Sequence, residues 1–488
     1  MSSLRETHAG PTGIRARSRS VLGLAAALGV ATSIFSVACA DDEATPPPTS
    51  TVDAGTHAPE TTPDVDAPPP KDAGADPDAR GAYDAADAPV VCDASPCATQ
   101  IVAGNSHFCA RMNDGTVRCW GSDEHGVLGF NPGAAPAPDP DAGDAGSKTY
   151  VIPSLSGVTQ LSAADSTICA LLDDGTVKCW GRNHWAQLGS SATSARNDYR
   201  PHPTPVAVAG LESAAKRVDV GFGYACALLE SGKLVCWGKD DHVQLLREGG
   251  ETIHDPLRMR EPGPAALGTL GLGRLAMSDN TVLALSASGE VWTWGAMGGD
   301  DGTVAGRIGS ITPNATPKRL EPLGNVTSLV ASVWLSVYPN KPRAHACALA
   351  NGEIYCWGRS FAGALGTGTP GDVREPAHAP FPDTVKTWPQ QLAAGDEITC
   401  ARMTDGSVYC CGSDDHGRLG TGSLIGVSPF FVKATTFTGR AVQVATSNDA
   451  VCALVEDGSV ECWGSNEKGQ LGLPPDDKDH PSPVKIAF

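Results

Sequence analysis

Paired cysteines are the residues of this chain best suited to do chemistry. The sequence holds 16 cysteines, and six pairs recur at a nearly constant spacing, with nine residues between the members of five pairs and eight in the other. Such thiols can form disulfides, bind a metal ion or stay reduced in a core. The six pairs are Cys109 with Cys119, Cys169 with Cys179, Cys226 with Cys236, Cys347 with Cys356, Cys400 with Cys410 and Cys452 with Cys462.

The residues between the cysteines favour disulfides. Asn113-Asp114-Gly115 lies midway between the first pair, and a three-residue hairpin loop ending in Gly places the two cysteines opposite each other on adjacent strands. The pair with eight intervening residues is centred on Asn351-Gly352, a two-residue turn that restores the same alignment. One further copy lacks both cysteines and has Leu283 and Thr293 instead. We therefore predict six disulfides within hairpins; the spacing is not the short knuckle of a zinc site, so no metal is expected.

The four remaining cysteines lie outside this pattern. Cys92 and Cys97 have four residues between them, and we predict a seventh disulfide there. Cys411 is left unpaired at a position that other copies fill with Trp, which indicates a small apolar residue in a core position. Cys39 belongs to the N-terminal segment described below.

The hairpins belong to a longer internal repeat. A Cys-Trp-Gly element recurs with the spacings 60, 57, 57, 63, 54 and 52 residues, which gives seven units of about 57 residues. Each unit has room for a four-stranded antiparallel sheet with its loops. The tryptophans of this element are expected in the core between units. They are Trp120, Trp180, Trp237, Trp294, Trp357 and Trp463.

The repeat resembles that of the regulator-of-chromosome-condensation family, in the Cys-paired variant found in exported bacterial members. The resemblance lies in the run Gly-x-x-His-x-Cys-Ala, then Asp-Gly-x-Val-x-Cys-Trp-Gly and finally Gly-Gln-Leu-Gly, and it covers residues 98–488. It implies an all-β, seven-bladed β-propeller around a central channel. The chain also ends in a Pro-containing segment, residues 481–488, like those that precede the internal repeats. We expect this C-terminal strand to complete the blade begun at Gln100 and so to close the ring.

Two segments precede the repeats. Residues 1–38 combine arginines with an apolar run ending in small residues, which predicts a signal peptide. Cys39 follows Ser36-Val37-Ala38 and is the expected lipidation site, although the usual Leu is replaced by Ser36; an ordinary signal peptide cleaved near Ala38 is the alternative. Residues 39–97 are rich in Asp, Pro and Ala and predict a disordered tether. We expect an exported protein held in the cell envelope, at the outer membrane or cell surface, by its lipid.

Composition and motifs exclude several functions. A formal net charge of −19 argues against nucleic-acid binding, which needs a basic surface. His107 and His345 share a repeat position that other copies fill with Thr, Tyr, Ile or Ala, so both are expected to be structural. No catalytic, cofactor-binding or metal-binding motif is found, and the sequence predicts a non-enzymatic protein without cofactors.

The connections between the hairpins differ in length and chemistry, and they are where we expect binding. The predicted function is a protein-binding scaffold, acting as a monomer on another envelope or extracellular protein. The alternative is cell-surface glycan binding or adhesion. Large or cationic side chains in or near these connections are the candidate contacts, because interfaces favour such anchors. They are Trp185, Arg200, Trp334, Tyr338 and Trp388.

Overall fold

Seven antiparallel sheets of four strands each form an all-β, seven-bladed propeller, which confirms the predicted fold. The computed structural model describes residues 83, 88–92, 95–130, 148–190, 198–247, 259–267, 270–295, 314–321, 323–332 and 344–488. Cys39, Trp334, Tyr338 and the proposed signal peptide lie outside these residues. Within them, no helix has the length and apolar character needed to cross a membrane.

The strands of each blade follow one another in sequence from the channel outward. In blades 1 to 4 they are Ala98–Ala103, His107–Met112, Val117–Gly121 and Tyr150–Val151; Val158–Ala164, Thr167–Leu172, Val177–Asn183 and Asp198–Ala207; Ala215–Gly221, Tyr224–Leu229, Leu234–Lys239 and Met259–Pro264; and Leu272–Met277, Thr281–Ser286, Val291–Gly295 and Asn314–Arg319. In blades 5 to 7 they are Val326–Ala331, His345–Ala350, Glu353–Gly358 and Val373–His378; Pro389–Gly395, Ile398–Met403, Val408–Ser413 and Val427–Lys433; and Ala441–Thr446, Ala450–Val455, Val460–Ser465 and Asp479–Lys485.

The turn between the second and third strands is set by local chemistry. In blade 1 the Asp114 carboxylate accepts hydrogen bonds from the backbone N–H of Thr116 at 2.8 Å and from its hydroxyl at 2.7 Å. Gly115 adopts a φ of 78°, which a residue with a Cβ rarely tolerates. Asp405 and Ser407 make the same two contacts in blade 6, at 2.9 and 2.6 Å. This turn fixes the register of the hairpin.

The register places the predicted cysteine partners opposite each other. Cys109 faces Cys119 and Cys347 faces Cys356, although the second hairpin is one residue shorter. The same alignment joins the other four pairs, which are Cys169 and Cys179, Cys226 and Cys236, Cys400 and Cys410, and Cys452 and Cys462. In all six hairpin pairs the sulfur atoms lie 2.07 to 2.14 Å apart.

The cysteines outside the hairpins also follow the predicted pattern. Cys92 and Cys97 are joined to each other ahead of the first strand. Cys411 is the free cysteine of the described residues, and it is buried. The predicted pairing therefore fits the structure.

The core lies between neighbouring blades, where the repeat tryptophans are completely buried as predicted. Each of five indole N–H groups donates to a backbone carbonyl of the preceding blade; Trp237 bonds to Gln187 at 2.8 Å and Trp463 to Arg418 at 2.9 Å. The bond is directional, so it fixes the angle between blades as well as burying apolar surface.

In blade 6, which lacks the repeat tryptophan, two residues occupy its position. The thiol of Cys411 lies 3.4 Å from the carbonyl oxygen of Ala364, the position that an indole N–H contacts elsewhere. Phe431 supplies the missing volume, because Gly366 packs on its ring and on the Cys411 sulfur as Gly420 packs on Trp463. Cys411 is therefore a core residue, and burial raises the pKa of its thiol far above the ordinary value.

The predicted mode of closure is wrong. The C-terminal strand Asp479–Lys485 pairs with Val460–Ser465 and completes blade 7, whereas blade 1 takes its fourth strand from Tyr150–Val151. In every blade the fourth strand follows the third strand of the same blade along the chain, so blades 7 and 1 do not exchange a strand. Side-chain and backbone contacts close the ring instead, including hydrogen bonds between Gln443 and Ile101.

The last residues of the chain nevertheless reach blade 1. The Thr149 hydroxyl donates to the carbonyl of Ala487 at 3.2 Å. The ring of Phe488 meets that of Trp120 edge-on, with 5.8 Å between centroids, and the Trp120 indole donates to the carbonyl of Gln470. The seam between blades 7 and 1 is thus built like the internal ones.

Residues before the first strand also contact the propeller. The backbone N–H of Val91 donates to the carbonyl of Glu456 at 2.7 Å, and Val90 packs on the core shared by blades 7 and 1. Tyr83 meets the ring of Trp388 edge-on and its hydroxyl lies 3.0 Å from that of Thr327. These contacts place parts of the segment preceding Ala98 against the propeller.

Candidate functional site

The two ends of the propeller carry different kinds of connection. One end, which we call the hairpin-turn face, holds the tight turns between second and third strands. The other, the loop face, holds the turns between first and second strands and the long connections between third and fourth strands. The strand order puts these two sets at opposite ends of every blade. Variation in length is therefore concentrated on the loop face.

The long connections of blades 1, 2, 3, 6 and 7 start with the same capped turn, whereas blade 5 has Ser360 at the capping position. The carboxylate of Asp123 accepts the backbone N–H of Leu128 at 2.8 Å, and the side chain of Asn466 accepts that of Leu471 at 3.2 Å. The same bond recurs at Asn183, Asp240 and Asp414. The residue that follows the capping position differs between blades. These tip residues are Glu124, His184, Asp241, Phe361, Asp415 and Glu467.

The structure separates the candidates chosen from the sequence. Trp185 packs on Gly223 at the loop face, and Arg200 lies near the same end of an outer strand, with its side chain 80% exposed and paired to Asp198. That pair holds the pKa of Asp198 down at about 2. Trp388 lies at the hairpin-turn face, against Gly352 and Tyr83. Trp185 and Trp388 therefore cannot contribute to one continuous binding platform.

The exposed apolar side chains cluster on blades 5 and 6. Of eight large hydrophobic side chains exposed in the described residues, five belong to these blades, and four of them lie between residues 424 and 430. We call these four the blade-6 rim: Leu424, Ile425, Val427 and Phe430. The rim runs from the long connection into the outer strand. Phe361, the fifth, is the tip residue of blade 5 on the same face and is 55% exposed.

A second feature of the loop face is a cluster of cations and aromatic rings on blades 2 and 3. Lys239 lies 5.4 Å from the ring centre of Phe222 and 5.8 Å from that of Trp185. Its ammonium group lies 2.6 Å from Asp279 and 3.3 Å from Asp241. Burial opposes the charged form, but the two carboxylates outweigh it and raise the pKa of Lys239. The ammonium charge of Lys239 is therefore compensated within the cluster.

Two recesses open near the axis. The channel holds a cavity of about 390 Å³ lined by the first strands, where Arg217 is held by Asp219 at 2.8 Å. A second recess of about 420 Å³ lies on the loop face at the junction of blades 7, 1 and 2. Asn105, Asp165 and Asn448 line both cavities, so the second recess adjoins the mouth of the channel.

The two histidines that share a repeat position are core residues. His107 and His345 are buried, and desolvation lowers the pKa of each to about 4. The imidazole of His345 lies 2.8 Å from the Thr399 hydroxyl within the core. Among the described residues, no group of His, Cys, Asp and Glu side chains is arranged to hold a metal ion.

Sequence reasoning missed the blade-6 rim and the residues of the second recess. Tyr199 lines that recess and is 65% exposed, yet charge and size favoured its neighbour Arg200. Asn105 and Asn448 come from turns nearly 350 residues apart. One signal was present: Leu424-Ile425-Gly426-Val427 is an apolar run in a connection that is otherwise polar.

Comparisons with known proteins agree with this architecture. A model of the RCC1-like domain matches residues 147–488, and a model of the regulator of chromosome condensation (RCC1) repeat matches residues 98–127. Prp20p from Saccharomyces cerevisiae, a solved structure, superimposes with a TM-score of 0.59 at 19% identity, covering 80% of this chain and 87% of that one. At this identity the likeness concerns the fold alone.

Two curated relatives share sequence similarity with the chain over very different parts of their own length. The chain is 25% identical over 332 residues to the ultraviolet-B receptor UVR8 of Arabidopsis thaliana, which covers 67% of this chain and 69% of the receptor. It is 26% identical over 307 residues to the E3 ubiquitin-protein ligase HERC2 of Homo sapiens, covering 62% of this chain but 6% of the ligase. The similarity to the ligase is thus confined to a small part of it.

Proposed function

Because this chain belongs to the RCC1-like domain family, we propose that it is a non-enzymatic scaffold that binds another protein through its loop face. The observation that carries the proposal is the blade-6 rim, a run of exposed apolar side chains on the face with the variable connections. A large contiguous patch of exposed apolar side chains commonly marks an interaction site.

The rim has the features of a protein-binding surface. Phe430 is 51% exposed and rests against Gly368 of the neighbouring blade, so the ring is held in place before a partner arrives. Leu424 and Val427 are 54% and 58% exposed beside it. A pre-ordered aromatic side chain surrounded by aliphatic ones loses little conformational entropy on binding.

The relatives support protein binding only in general terms. Prp20p has been described together with its binding to Gsp1p and histones, and those partners are properties of Prp20p. No partner is transferred to this chain, because its long connections differ from blade to blade and its identity to Prp20p is 19%. The proposed partner is an envelope or extracellular protein, bound by one copy of the chain.

The proposal includes export and lipid anchoring. The support is the basic and apolar N-terminal sequence, the small residues before Cys39, and the closely opposed cysteine pairs, which suit an oxidising compartment. Metabolic labelling with a fatty-acid probe tests the anchor: label should enter the parent protein and be lost in Cys39→Ser. Label that persists in the variant, or is absent from the parent, contradicts it.

Two matched valines test which face binds. Val427 and Val91 are 58% and 54% exposed, on the rim and on the hairpin-turn face. The immobilised parent protein should retain a protein from envelope extract, and Val427→Asp should lose it because a carboxylate would have to be desolvated in the interface. Val91→Asp should retain it. If Val91→Asp loses the partner and Val427→Asp keeps it, the loop-face assignment fails. If the retained material survives protease but not removal of polysaccharide, the partner is a glycan.

A further inference from the structure

The recess at the junction of blades 7, 1 and 2 has an unusual lining. Every side chain that lines it is polar or aromatic, and none is aliphatic. Its volume of about 420 Å³ lies within the range of small-molecule sites, about 300–1,000 Å³. The lining residues are Asn105, Glu124, His125, Asp165, Arg182, His184, Tyr199 and Asn448.

The floor of the recess is held rigidly. Asp165, with 4% of its side chain exposed, accepts hydrogen bonds from Arg182 Nη1 at 2.7 Å and Asn105 Nδ2 at 2.6 Å. Arg182 Nε also donates to His184 Nδ1. Because a guanidinium group cannot accept a hydrogen bond, His184 must carry its proton on Nε2. The tautomer of His184 is therefore set before any ligand enters.

One wall is an exposed aromatic ring. Tyr199 is 65% exposed and meets the imidazole of His184 edge-on, with 3.9 Å between ring centroids. His125 packs edge-on against His184 from another side, at 5.4 Å. These contacts hold the aromatic wall in position and leave most of the tyrosine to solvent.

Polar groups remain for a ligand. Among the described residues, the side-chain amide of Asn448 makes no hydrogen bond, while its backbone N–H donates to the carbonyl of Asn105 at 2.9 Å. The carboxylate of Glu124 is 69% exposed and lies 3.5 Å from His125 Nε2. The recess thus offers amide and carboxylate groups at the rim and a neutralised ion pair at the floor.

We propose that this recess binds a neutral pyranose sugar. A sugar hydroxyl both donates and accepts hydrogen bonds, and the amide and carboxylate groups can satisfy both roles, two neighbouring hydroxyls at a time. The carbon–hydrogen face of the ring is apolar and suits stacking on Tyr199, whose hydroxyl stays in water. The channel cavity, by contrast, has no aromatic side chain in its lining.

Other ligand classes fit less well. An apolar protein side chain would desolvate the Asp165–Arg182 pair without replacing any lost hydrogen bond. An anion would gain little from Arg182, because Asp165 already neutralises it. The proposal is independent of the blade-6 rim, since the two sites share no residue, and either can fail alone.

Saturation-transfer NMR with the full chain tests the proposal. The probes are the methyl glycosides of glucose, galactose, mannose and N-acetylglucosamine, each added separately. We expect transfer to the ring protons of at least one of them. Tyr199→Ala and Asn448→Ala should weaken that sugar's binding by at least about tenfold, the equivalent of ~1.4 kcal/mol, while Tyr199→Phe should retain it.

A matched control and a folding control complete the test. Phe361→Ala removes an exposed aromatic ring of the same face outside the recess, and it should leave sugar binding unchanged. The melting temperature of each variant shows whether the propeller is intact. The proposal is overturned if none of the four glycosides receives saturation from the parent protein, or if a folded Tyr199→Ala variant binds as well as the parent.

Discussion

Gln443 and Ile101 exchange two hydrogen bonds across the seam between the last blade and the first. The amide of Gln443 donates to the Ile101 carbonyl at 2.8 Å, and its oxygen accepts the Ile101 N–H at 2.9 Å. Gln160 makes the same pair with Val218 between blades 2 and 3. Gln100 and Gln391 repeat it at two further seams. The ring therefore closes with the same contact that joins internal blades.

Loss of this contact should destabilise the closing seam and an internal seam equally. Gln443→Ala leaves a backbone donor and acceptor of Ile101 without partners, and we expect a loss of roughly 1–3 kcal/mol in the free energy of unfolding. Gln160→Ala should cost about the same. Urea denaturation of both variants measures the two values. A much larger loss for Gln443→Ala would show that closure depends on this seam more than on the others.

The packing of Cys411 and Phe431 predicts non-additive substitutions. Cys411→Trp alone should destabilise the protein by roughly 1–3 kcal/mol, because the indole would overlap the ring of Phe431. Phe431→Pro restores the residue found at the equivalent positions, Pro205 and Pro483, and alone leaves a cavity. The double variant should be more stable than the sum of the single effects allows. If the losses measured by urea denaturation are strictly additive, Cys411 and Phe431 do not jointly replace the tryptophan and proline of the other blades.

The cysteine pairing predicts a labelling pattern. The native protein should not react with an alkylating reagent at Cys411, because that thiol is buried and its pKa is raised. In denaturant without reductant Cys411 should react while the hairpin cysteines stay unmodified, and reductant should expose them all. Peptide mapping by mass spectrometry identifies each label. Hairpin cysteines labelled before reduction would contradict the pairing.

Two buried histidines predict acid sensitivity. Burial lowers the pKa of His107 and of His345 to about 4, from an ordinary value of 6.5. Between these values the unfolded chain binds more protons than the folded one, so their contribution to stability falls as pH falls from 6.5 to 4. His107→Thr introduces the residue of the equivalent position 167. As pH falls across this window, the free energy of unfolding of the variant should rise relative to that of the parent by up to ~1.4 kcal/mol per pH unit. If the free energies of unfolding of the variant and the parent change in parallel with pH, the lowered pKa of His107 is contradicted.

Features that depend on local geometry, such as hairpin register, could be predicted from the sequence. The position along the repeat at which one blade ends and the next begins could not. The turn at Asp114-Gly115 aligns Cys109 with Cys119 whatever the rest of the chain does, so this register could be predicted. Segment 481–488 could in principle belong to either neighbouring blade. Its assignment to blade 7 depends on the pairing of Val484 with Cys462, which no local pattern reveals.

Closure of the ring also determines which residues of the candidate sites could be predicted. Tyr199, Asn105 and Asn448 come from blades 2, 1 and 7 and meet only because the ring is closed. Trp185 and Trp388 are both aromatic residues in connections between strands, but the two connections lie at opposite ends of the propeller. Choosing residues by type alone could not distinguish these cases.

Site-specific photo-crosslinking tests the central claim most directly. A photoreactive residue placed at Ile425, on the blade-6 rim, should join the chain to one envelope protein, and the same residue at Val91 should not. Val427→Asp, combined with the Ile425 probe, should abolish the adduct. An adduct formed from Val91 but not from Ile425, or an Ile425 adduct that persists in Val427→Asp, would contradict binding of a protein through the loop face.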